Sequence, residues 1–390
     1  MTEPLLLTGG RLVTATDDAV NAWVHVHDGR IAAVGAGPAP ELGGSVRRVD
    51  VSGLLLLPGL VDIHQHGGGG AGYEGRPEDV AEAVHFHRMH GTTTTVASLV
   101  SAPLTDLEQQ LGRLAPLVRA GLLAGVHLEG PWLSPARAGA HRRSALALPD
   151  RGNVARLLTA GDGAVRMVTI APELPGAPAA IEQLAAEGVV VALGHTDATY
   201  AETRDALRRG ARAGTHLFNA MRPVHHREPG PVLALLESDA AVELVADGIH
   251  LHPAVLADAA RVLGPGRTVL VTDAMAGAGL ADGTYHLGGR DVTVTDGVAR
   301  GAGGEIAGST VTLLDAVRFA ATVAGIPLQA AVAAATSAPA RLLGLPAVGH
   351  LSPGARADVV LVTPELRPVG VLFGGRWARS LPRSPRRVTR

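Results

Sequence analysis

Short runs of apolar residues alternate with stretches of helical spacing through the middle of the chain. Their near-continuous Val, Leu, Ile and Ala content is typical of parallel strands that are buried on both faces. The strand-like runs are residues 60–63, 93–98, 125–128, 166–170, 189–193, 212–214, 242–245 and 268–271, and helical spacing follows in residues 77–90, 104–120, 179–187 and 200–209. Eight strand–helix units over roughly 280 residues predict an α/β fold, a (β/α)8 or TIM barrel. An open doubly wound sheet is the alternative, but no glycine-rich dinucleotide fingerprint follows an early strand.

Both ends of the chain have a different pattern, with short strands separated by turn residues. Strands are predicted at residues 5–8, 22–27, 30–34, 46–51, 358–362 and 369–373, and Asp28-Gly29 is typical of a hairpin turn. We therefore expect residues 1–57 and 345–390 to build one small β-sandwich domain around a barrel formed by residues 58–344. The Arg-rich tail, residues 379–390, is expected to be a frayed, solvated end.

Composition excludes several kinds of chemistry. The chain has no cysteine, so disulfides, thiolate metal sites and a cysteine nucleophile are impossible. It also has no lysine, which excludes a Schiff base and a carboxylated lysine that bridges two metals. A formal net charge of −2 gives no basic surface for nucleic acid. The N-terminus lacks a signal-peptide pattern and no apolar run could span a membrane, so a cytoplasmic protein is expected.

Potential ligand residues recur just past the predicted barrel strands. These residues are His64, His66, Glu129, His195, His216, Asp247, His250 and Asp273. Because the carboxyl ends of barrel strands meet at one rim, this repetition predicts a metal site there, against the alternative of polar residues that cap turns. Other histidines have no such placement and are interpreted as surface residues: His25, His27, His85, His87, His90 and His350.

Imidazole and carboxylate groups without thiolate suit Zn²⁺ foremost, with Fe²⁺, Co²⁺ or Mn²⁺ as alternatives. Glu129, His195 and His216 form a two-histidine, one-carboxylate set that leaves room for water, as in catalytic sites. His64 and His66 lie two apart on a strand and point to the same side. They could bind a second metal with Glu129 as the bridge, or only form hydrogen bonds within the site.

Asp273 follows the last predicted strand and leads into a loop. A carboxylate beside an activated water can accept its proton and deliver it to a leaving group. The alternative is that Asp273 caps the next helix, but residues 276–279 are not typical of a helix start.

Ordered motifs resemble a known enzyme family. Residues 57–67, Leu-Pro-Gly-Leu-Val-Asp-Ile-His-Gln-His-Gly, resemble the opening element of the amidohydrolase superfamily. Further motifs, in order, resemble the N-acetylglucosamine-6-phosphate deacetylase family: residues 127–132 (His-Leu-Glu-Gly-Pro-Trp), 139–141 (Gly-Ala-His), 194–196 (Gly-His-Thr), 215–221 (Thr-His-Leu-Phe-Asn-Ala-Met), 227–230 (Arg-Glu-Pro-Gly), 246–250 (Ala-Asp-Gly-Ile-His), 272–274 (Thr-Asp-Ala) and 306–309 (Ile-Ala-Gly-Ser). The similarity covers residues 5–375, nearly the whole chain.

The resemblance implies hydrolysis of the acetamide of N-acetylglucosamine 6-phosphate with one or two divalent metals in each subunit. It assigns Glu129, His195 and His216 as metal ligands, Asp273 as the catalytic acid and base, and His141 as the histidine that polarises the acetamide carbonyl. Substrate contacts fall on Ala140, Asn219, Ala220, Ile306, Ala307 and Gly308. Arg227 and His250 match phosphate-binding positions that reach the site from a neighbouring subunit, which implies a homodimer. Members of the family often carry a lysine before Gly-Ala-His; this chain has none, and Arg137 stands nearby.

Three alternatives remain open for the function. The nearest is the same chemistry on N-acetylgalactosamine 6-phosphate, and a more distant one is hydrolysis of a cyclic amide on the same barrel. Arg227 and His250 favour a phosphorylated sugar, since a cyclic amide needs no phosphate clamp. A catalytically inactive sugar-phosphate sensor is the third, although such a protein would not need the complete set of Glu129, His195, His216 and Asp273.

Overall fold

The computed structural model describes residues 3–381. The strands are β1 (Leu5–Val13), β2 (Asp18–His27), β3 (Arg30–Ala36), β4 (Arg47–Asp50), β5 (Leu55–Pro58), β6 (Leu60–Gln65), β7 (Gly67–Gly68), β8 (Ala71–Gly72), β9 (Thr92–Val100), β10 (Gly125–Glu129), β11 (Val165–Ile170), β12 (Val190–Leu193), β13 (Ala211–Gly214), β14 (Ala241–Val245), β15 (Thr268–Val271), β16 (Gly283–Leu287), β17 (Arg290–Thr295), β18 (Val298–Arg300), β19 (Val359–Val362), β20 (Pro368–Phe373) and β21 (Arg376–Arg379). The α-helices are α1 (Pro77–Met89), α2 (Leu104–Arg119), α3 (Arg151–Gly161), α4 (Ala177–Ala186), α5 (Tyr200–Arg208), α6 (Gly230–Leu236), α7 (Pro253–Leu263), α8 (Leu313–Thr322), α9 (Leu328–Ala334) and α10 (Ser337–Leu342).

The predicted (β/α)8 barrel is confirmed. Its eight strands pair in the order β6, β9, β10, β11, β12, β13, β14, β15, and every ladder between them is parallel. Nearly all of their residues are buried, which accounts for the continuous apolar runs in the sequence. Capping boxes at Thr199 and Thr312 start two of the outer helices, α5 and α8.

The first and last barrel strands meet through polar contacts rather than a long ladder. The Asp273 N–H donates to the His64 carbonyl oxygen at 2.9 Å. The Asp62 carboxylate accepts the Thr272 hydroxyl at 2.7 Å and the His64 N–H at 3.3 Å. Burial raises the pKa of Asp62 to about 7, although its hydrogen bonds oppose this shift. The barrel therefore closes at the rim where candidate ligands were predicted.

Strands from both ends of the chain form one further sheet, so the two ends build a common β domain, as predicted. Its order is β21-β20-β19-β5-β1-β2-β3, with β4 paired to β1, and the antiparallel β5–β19 ladder joins the two ends. A separate apolar core fills it with side chains from both ends, including Leu7, Val24, Val359 and Leu372. The exact residue bounds of the two domains stay a prediction. β21 includes Arg379, the first residue of the predicted solvated tail, and residues 382–390 lie outside the described part of the chain.

Two features differ from the sequence interpretation. An antiparallel hairpin sheet, β16–β17–β18, lies between the last barrel strand and α8 and was not predicted. Its turns at Gly288-Gly289 and Asp296-Gly297 are ordinary hairpin signals. His87 is not a surface residue: it is fully buried, its Nε2 lies 2.9 Å from the Gly67 carbonyl oxygen, and burial lowers its pKa to about 4. No helix among residues 3–381 has the length and apolar character needed to cross a membrane.

Candidate active site

Side chains from several barrel strands converge at the carboxyl rim, as the strand-end pattern predicted. His64 and Glu129 belong to β6 and β10, whereas His195, His216 and Asp273 each follow a strand by two residues. All five are buried. The last three share a left-handed backbone, with φ of 47°, 27° and 50° respectively.

This backbone conformation explains how the ligands turn inward. A non-glycine residue in the left-handed region costs on the order of 1–2 kcal/mol, and such residues persist only where the surrounding structure enforces them. Here the same turn occurs after β12, β13 and β15, at His195, His216 and Asp273. Repetition of a costly conformation at one position relative to the strand is typical of a functional site.

Glu129, His195 and His216 form the first ligand group. Glu129 Oε1 lies 3.0 Å from both His195 Nε2 and His216 Nε2, and the two ring nitrogens lie 3.0 Å from each other. A carboxylate oxygen and two imidazole nitrogens this close in a buried place need a cation or shared protons between them. The set fits a divalent cation with an open position.

In two histidines, the ring nitrogen on the side away from the ligand group, Nδ1, is hydrogen-bonded to a backbone carbonyl oxygen. His195 Nδ1 lies 3.0 Å from the Arg137 oxygen, and His66 Nδ1 lies 3.2 Å from the Ser98 oxygen. Each Nδ1–H is therefore a donor, and Nε2 is left to face the site. This arrangement is the usual way in which proteins orient metal-binding imidazoles.

A second ligand group adjoins the first. Ligand atoms of His64, His66 and Asp273 lie within 4.8 Å of one another, and His66 Nε2 is 3.2 Å from both Glu129 Oε2 and Asp273 Oδ1. His64 Nε2 is buried without a hydrogen-bond partner among the described residues, 3.5 Å from Glu129 and from Asp273. An orphaned imidazole nitrogen between two carboxylates fits a second cation, with Glu129 shared by both groups.

The carboxylates of the site are anions at neutral pH. Burial works to raise the pKa of Glu129, but attraction to His64 and His141 holds it well below its usual range. The pKa of Asp273 is also lowered, since the hydrogen bond from His66 and attraction to His64 outweigh burial. Against burial, Asp273 and Glu129 raise the pKa of His66 to about 9. A proton on His66 thus lies where a cation would bind, and binding of the cation would release it.

A cavity of about 370 Å³ opens above these groups. His141 lines it with a defined tautomer: its Nδ1 accepts the Ser101 N–H at 3.1 Å, so Nε2 carries the proton and lies 3.3 Å from Glu129 Oε2. Burial lowers the pKa of His141 to about 4, so the ring is neutral at physiological pH. A neutral N–H donor therefore lies next to Glu129 in the lining of the cavity.

Most predicted substrate contacts lie on this cavity. Ala140, Asn219, Ala220, Ile306 and Gly308 line it, together with His250. Ala307 does not line the cavity: it is 1% exposed and belongs to an apolar cluster with Met275 and with Val100 and Leu287, which do line the cavity.

The predicted placement of His250 in a neighbouring subunit's site is wrong. Asp247 Oδ2 holds His250 Nδ1 at 2.6 Å, and His250 Nε2 lies 3.7 Å from Asp273 Oδ2 of the same chain. The side chain is 5% exposed, so it serves its own cavity. Arg227 differs: it is exposed on a loop with His225 and His226, outside the cavity of its own chain.

Sequence reasoning missed several residues of the site. Arg290, at the start of β17, donates to the Ala140 carbonyl oxygen at 2.8 Å and pairs with Glu305 at 3.4 Å, and Arg142 also lines the cavity. Glu243 lies fully buried within β14 beneath the histidines. A charged residue inside an otherwise apolar strand was the signal that could have revealed it.

Comparisons with known proteins agree with this geometry. The model of the amidohydrolase family matches residues 55–378. The chain is 36% identical to an N-acetylgalactosamine-6-phosphate deacetylase of Escherichia coli O157:H7 (96% of this chain, 99% of the relative) and 33% identical to an N-acetylglucosamine-6-phosphate deacetylase of Lysinibacillus sphaericus (90% and 91%).

A solved structure is also similar. It is a mutant N-acetyl-D-glucosamine-6-phosphate deacetylase from Mycobacterium smegmatis in complex with N-acetyl-D-glucosamine 6-phosphate, at 47% identity and a TM-score of 0.93, covering 97% of this chain and 100% of that one. The chain therefore belongs to the amidohydrolase family, within the group that contains these amino-sugar-phosphate deacetylases, as its ordered motifs predicted.

Proposed function

We propose that this chain hydrolyses the acetamide of N-acetyl-D-glucosamine 6-phosphate to D-glucosamine 6-phosphate and acetate. The observation that carries the proposal is the meeting of a proton-accepting carboxylate, Asp273, and a neutral N–H donor, His141, around two ligand groups in one cavity. The similar Mycobacterium smegmatis structure holds this amino-sugar phosphate, which supports the choice of substrate.

Glu129, His195 and His216 would hold the first divalent ion, with Zn²⁺ preferred over Fe²⁺, Co²⁺ or Mn²⁺ for this donor set. His64, His66 and Asp273 would hold a second, with Glu129 shared. When bound, such an ion supplies Lewis acidity, which makes water easier to deprotonate and the amide carbonyl easier to attack.

Asp273 would move the proton. Its lowered pKa keeps the carboxylate ionised, so it can accept the proton of the attacking water. The same carboxyl group would then donate that proton to the nitrogen of the leaving amine, because expulsion of an amide anion is unfavourable. His250, 3.7 Å from Asp273 Oδ2, lies beside this transfer.

His141 would stabilise the developing oxyanion. The Ser101 N–H fixes the proton of His141 on Nε2, and His141 lines the cavity beside Glu129. A donor oriented in advance costs no reorganisation when charge develops on the carbonyl oxygen. The low pKa of His141 keeps this tautomer uncharged across the neutral pH range.

Asn219 and Ala220 of this chain would contact the substrate, and Arg227 of a second copy in a homodimer would bind its phosphate. Asn219 and Ala220 line the cavity, whereas Arg227 lies on an exposed loop outside it, which is compatible with a role in a neighbouring site. Guanidinium groups suit phosphate because they offer paired donors. A cytoplasmic location remains a prediction from the sequence.

We expect metal-loaded protein to release acetate from N-acetylglucosamine 6-phosphate, and the unphosphorylated sugar to be a much poorer substrate because it lacks the phosphate contacts. Acetate should be measured in parallel with N-acetylgalactosamine 6-phosphate and with chelator-treated protein. A higher kcat/KM for N-acetylgalactosamine 6-phosphate would show that this epimer, and not the proposed one, is the preferred substrate. The 36% identity to the Escherichia coli relative makes this comparison necessary. Unchanged turnover after complete metal removal would contradict the metal dependence.

Replacing Asp273 with asparagine should lower kcat by about 10²- to 10⁴-fold, the usual contribution of a positioned acid and base. Metal analysis should still find an ion at Glu129, His195 and His216, because these ligands remain. The exposed carboxylate Asp291, 73% exposed, provides a control as Asp291→Asn with wild-type turnover. A kcat of Asp273→Asn within tenfold of wild type would rule out the proposed proton transfer.

Arg227 can be tested by mixing two impaired variants, Arg227→Gln and Asp273→Asn. If Arg227 serves the partner's site, a mixed dimer has one complete site, so re-association of equal amounts should restore about a quarter of wild-type activity. Activity should be measured at a substrate concentration where each variant alone is slow. If mixing restores no activity although mixed dimers form, Arg227 does not act across the interface.

A further inference from the structure

A buried carboxylate lies beneath both ligand groups. Glu243 is on β14, where its neighbours Val242, Leu244 and Val245 are apolar, and it is 0% exposed. Burying an ionised carboxylate in such surroundings is costly unless partners offset the charge. An apolar residue could fill this position in the barrel without that cost. We therefore expect the carboxylate of Glu243 to have a role other than packing.

One oxygen of Glu243 contacts a histidine from each ligand group. Oε2 lies 2.9 Å from His64 Nδ1 and accepts the backbone N–H of His216 at 3.2 Å. Its other oxygen, Oε1, is buried and has no hydrogen-bond partner in residues 3–381. The charge of Glu243 is thus directed mainly at the His64 ring.

The contact determines which nitrogen of His64 can bind a cation. With Nδ1–H donated to Glu243, Nε2 is the nitrogen that faces Glu129 and Asp273, at 3.5 Å from each. Without an anionic acceptor at Nδ1, the ring would lose a partner for its proton and the electron donation that strengthens it as a ligand. His66 has a different support, the Ser98 carbonyl oxygen, so within the second ligand group Glu243 contacts only the His64 ring.

We propose that Glu243 is a positioning residue that sets the affinity of the His64–His66–Asp273 group for a second divalent ion. The inference rests on the proposed function only in requiring that the site binds divalent cations. Glu243 touches His216 only through that residue's backbone, so its loss should weaken the second group far more than the first.

Two substitutions separate charge from hydrogen bonding. Glu243→Gln keeps an oxygen that can accept from His64 and His216 and places an amide at the unpartnered Oε1 position. Glu243→Leu removes both charge and acceptor while retaining a buried side chain. Loss of an outer partner typically weakens metal binding about 10- to 100-fold, so we expect about tenfold for glutamine and about 100-fold for leucine at the second ion.

The experiment is a Co²⁺ titration of chelator-stripped full-length protein, followed by calorimetry and by the visible bands of bound Co²⁺. Wild type should bind two equivalents, and both variants should keep the first while losing affinity for the second. Asp358→Asn, a buried carboxylate paired with Arg356 outside the cavity, is the matched control and should bind two equivalents. Thermal midpoints of the metal-free proteins report on the fold: Glu243→Gln should stay close to wild type because it keeps the acceptor, whereas Glu243→Leu should fall because the His64 Nδ1–H and the His216 N–H lose their buried partner.

Three results would overturn the proposal: a single equivalent in wild type, unchanged affinity for the second ion in both variants, or equal loss of both ions. A wild type that binds two ions but releases no acetate from the amino-sugar phosphate would instead reject the proposed function and leave the role of Glu243 intact.

Discussion

The close approach of Glu129 Oε1, His195 Nε2 and His216 Nε2, each 3.0 Å from the other two, is the constraint on which the rest of the site depends. These atoms repel one another in a buried environment unless a cation or shared protons lie between them. The three residues come from three separate strands, and the two histidines adopt the left-handed backbone conformation. The surrounding structure therefore holds the three side chains together against this repulsion. The surrounding carbonyls and carboxylates then decide which ring nitrogen faces inward.

The chemistry divides between the barrel and the loops above it. Strand ends supply the ligand groups and Asp273, which need fixed positions. Loops supply the cavity walls, with His141 held by Ser101 and the β16–β17 turn tied back by Arg290 to the Ala140 carbonyl. Rigid elements therefore set the positions of the ligand groups, whereas much of the cavity wall lies on connections that can vary without disturbing the barrel.

Sequence patterns could predict which residues meet but not how they are oriented. Eight apolar runs predicted the barrel strands, and a barrel brings the carboxyl ends of all its strands to one rim. The sequence alone could therefore place the following residues in one site: Glu129, His195, His216 and Asp273. Tautomers and left-handed turns depend on contacts between distant segments, such as His195 with the Arg137 carbonyl. His250 is an example of what the sequence cannot predict. Its motif indicates a binding residue, but only the contact with Asp247 in the structure shows that the side chain lies in the cavity of its own chain.

Crystals of the metal-loaded protein, measured on both sides of the absorption edge of the bound metal, test the central claim most directly. Anomalous difference maps should show a peak within about 2.0–2.2 Å of Glu129, His195 and His216 together. Metal-replete crystals with no peak among these three residues, or with the metal bound elsewhere, would contradict the account.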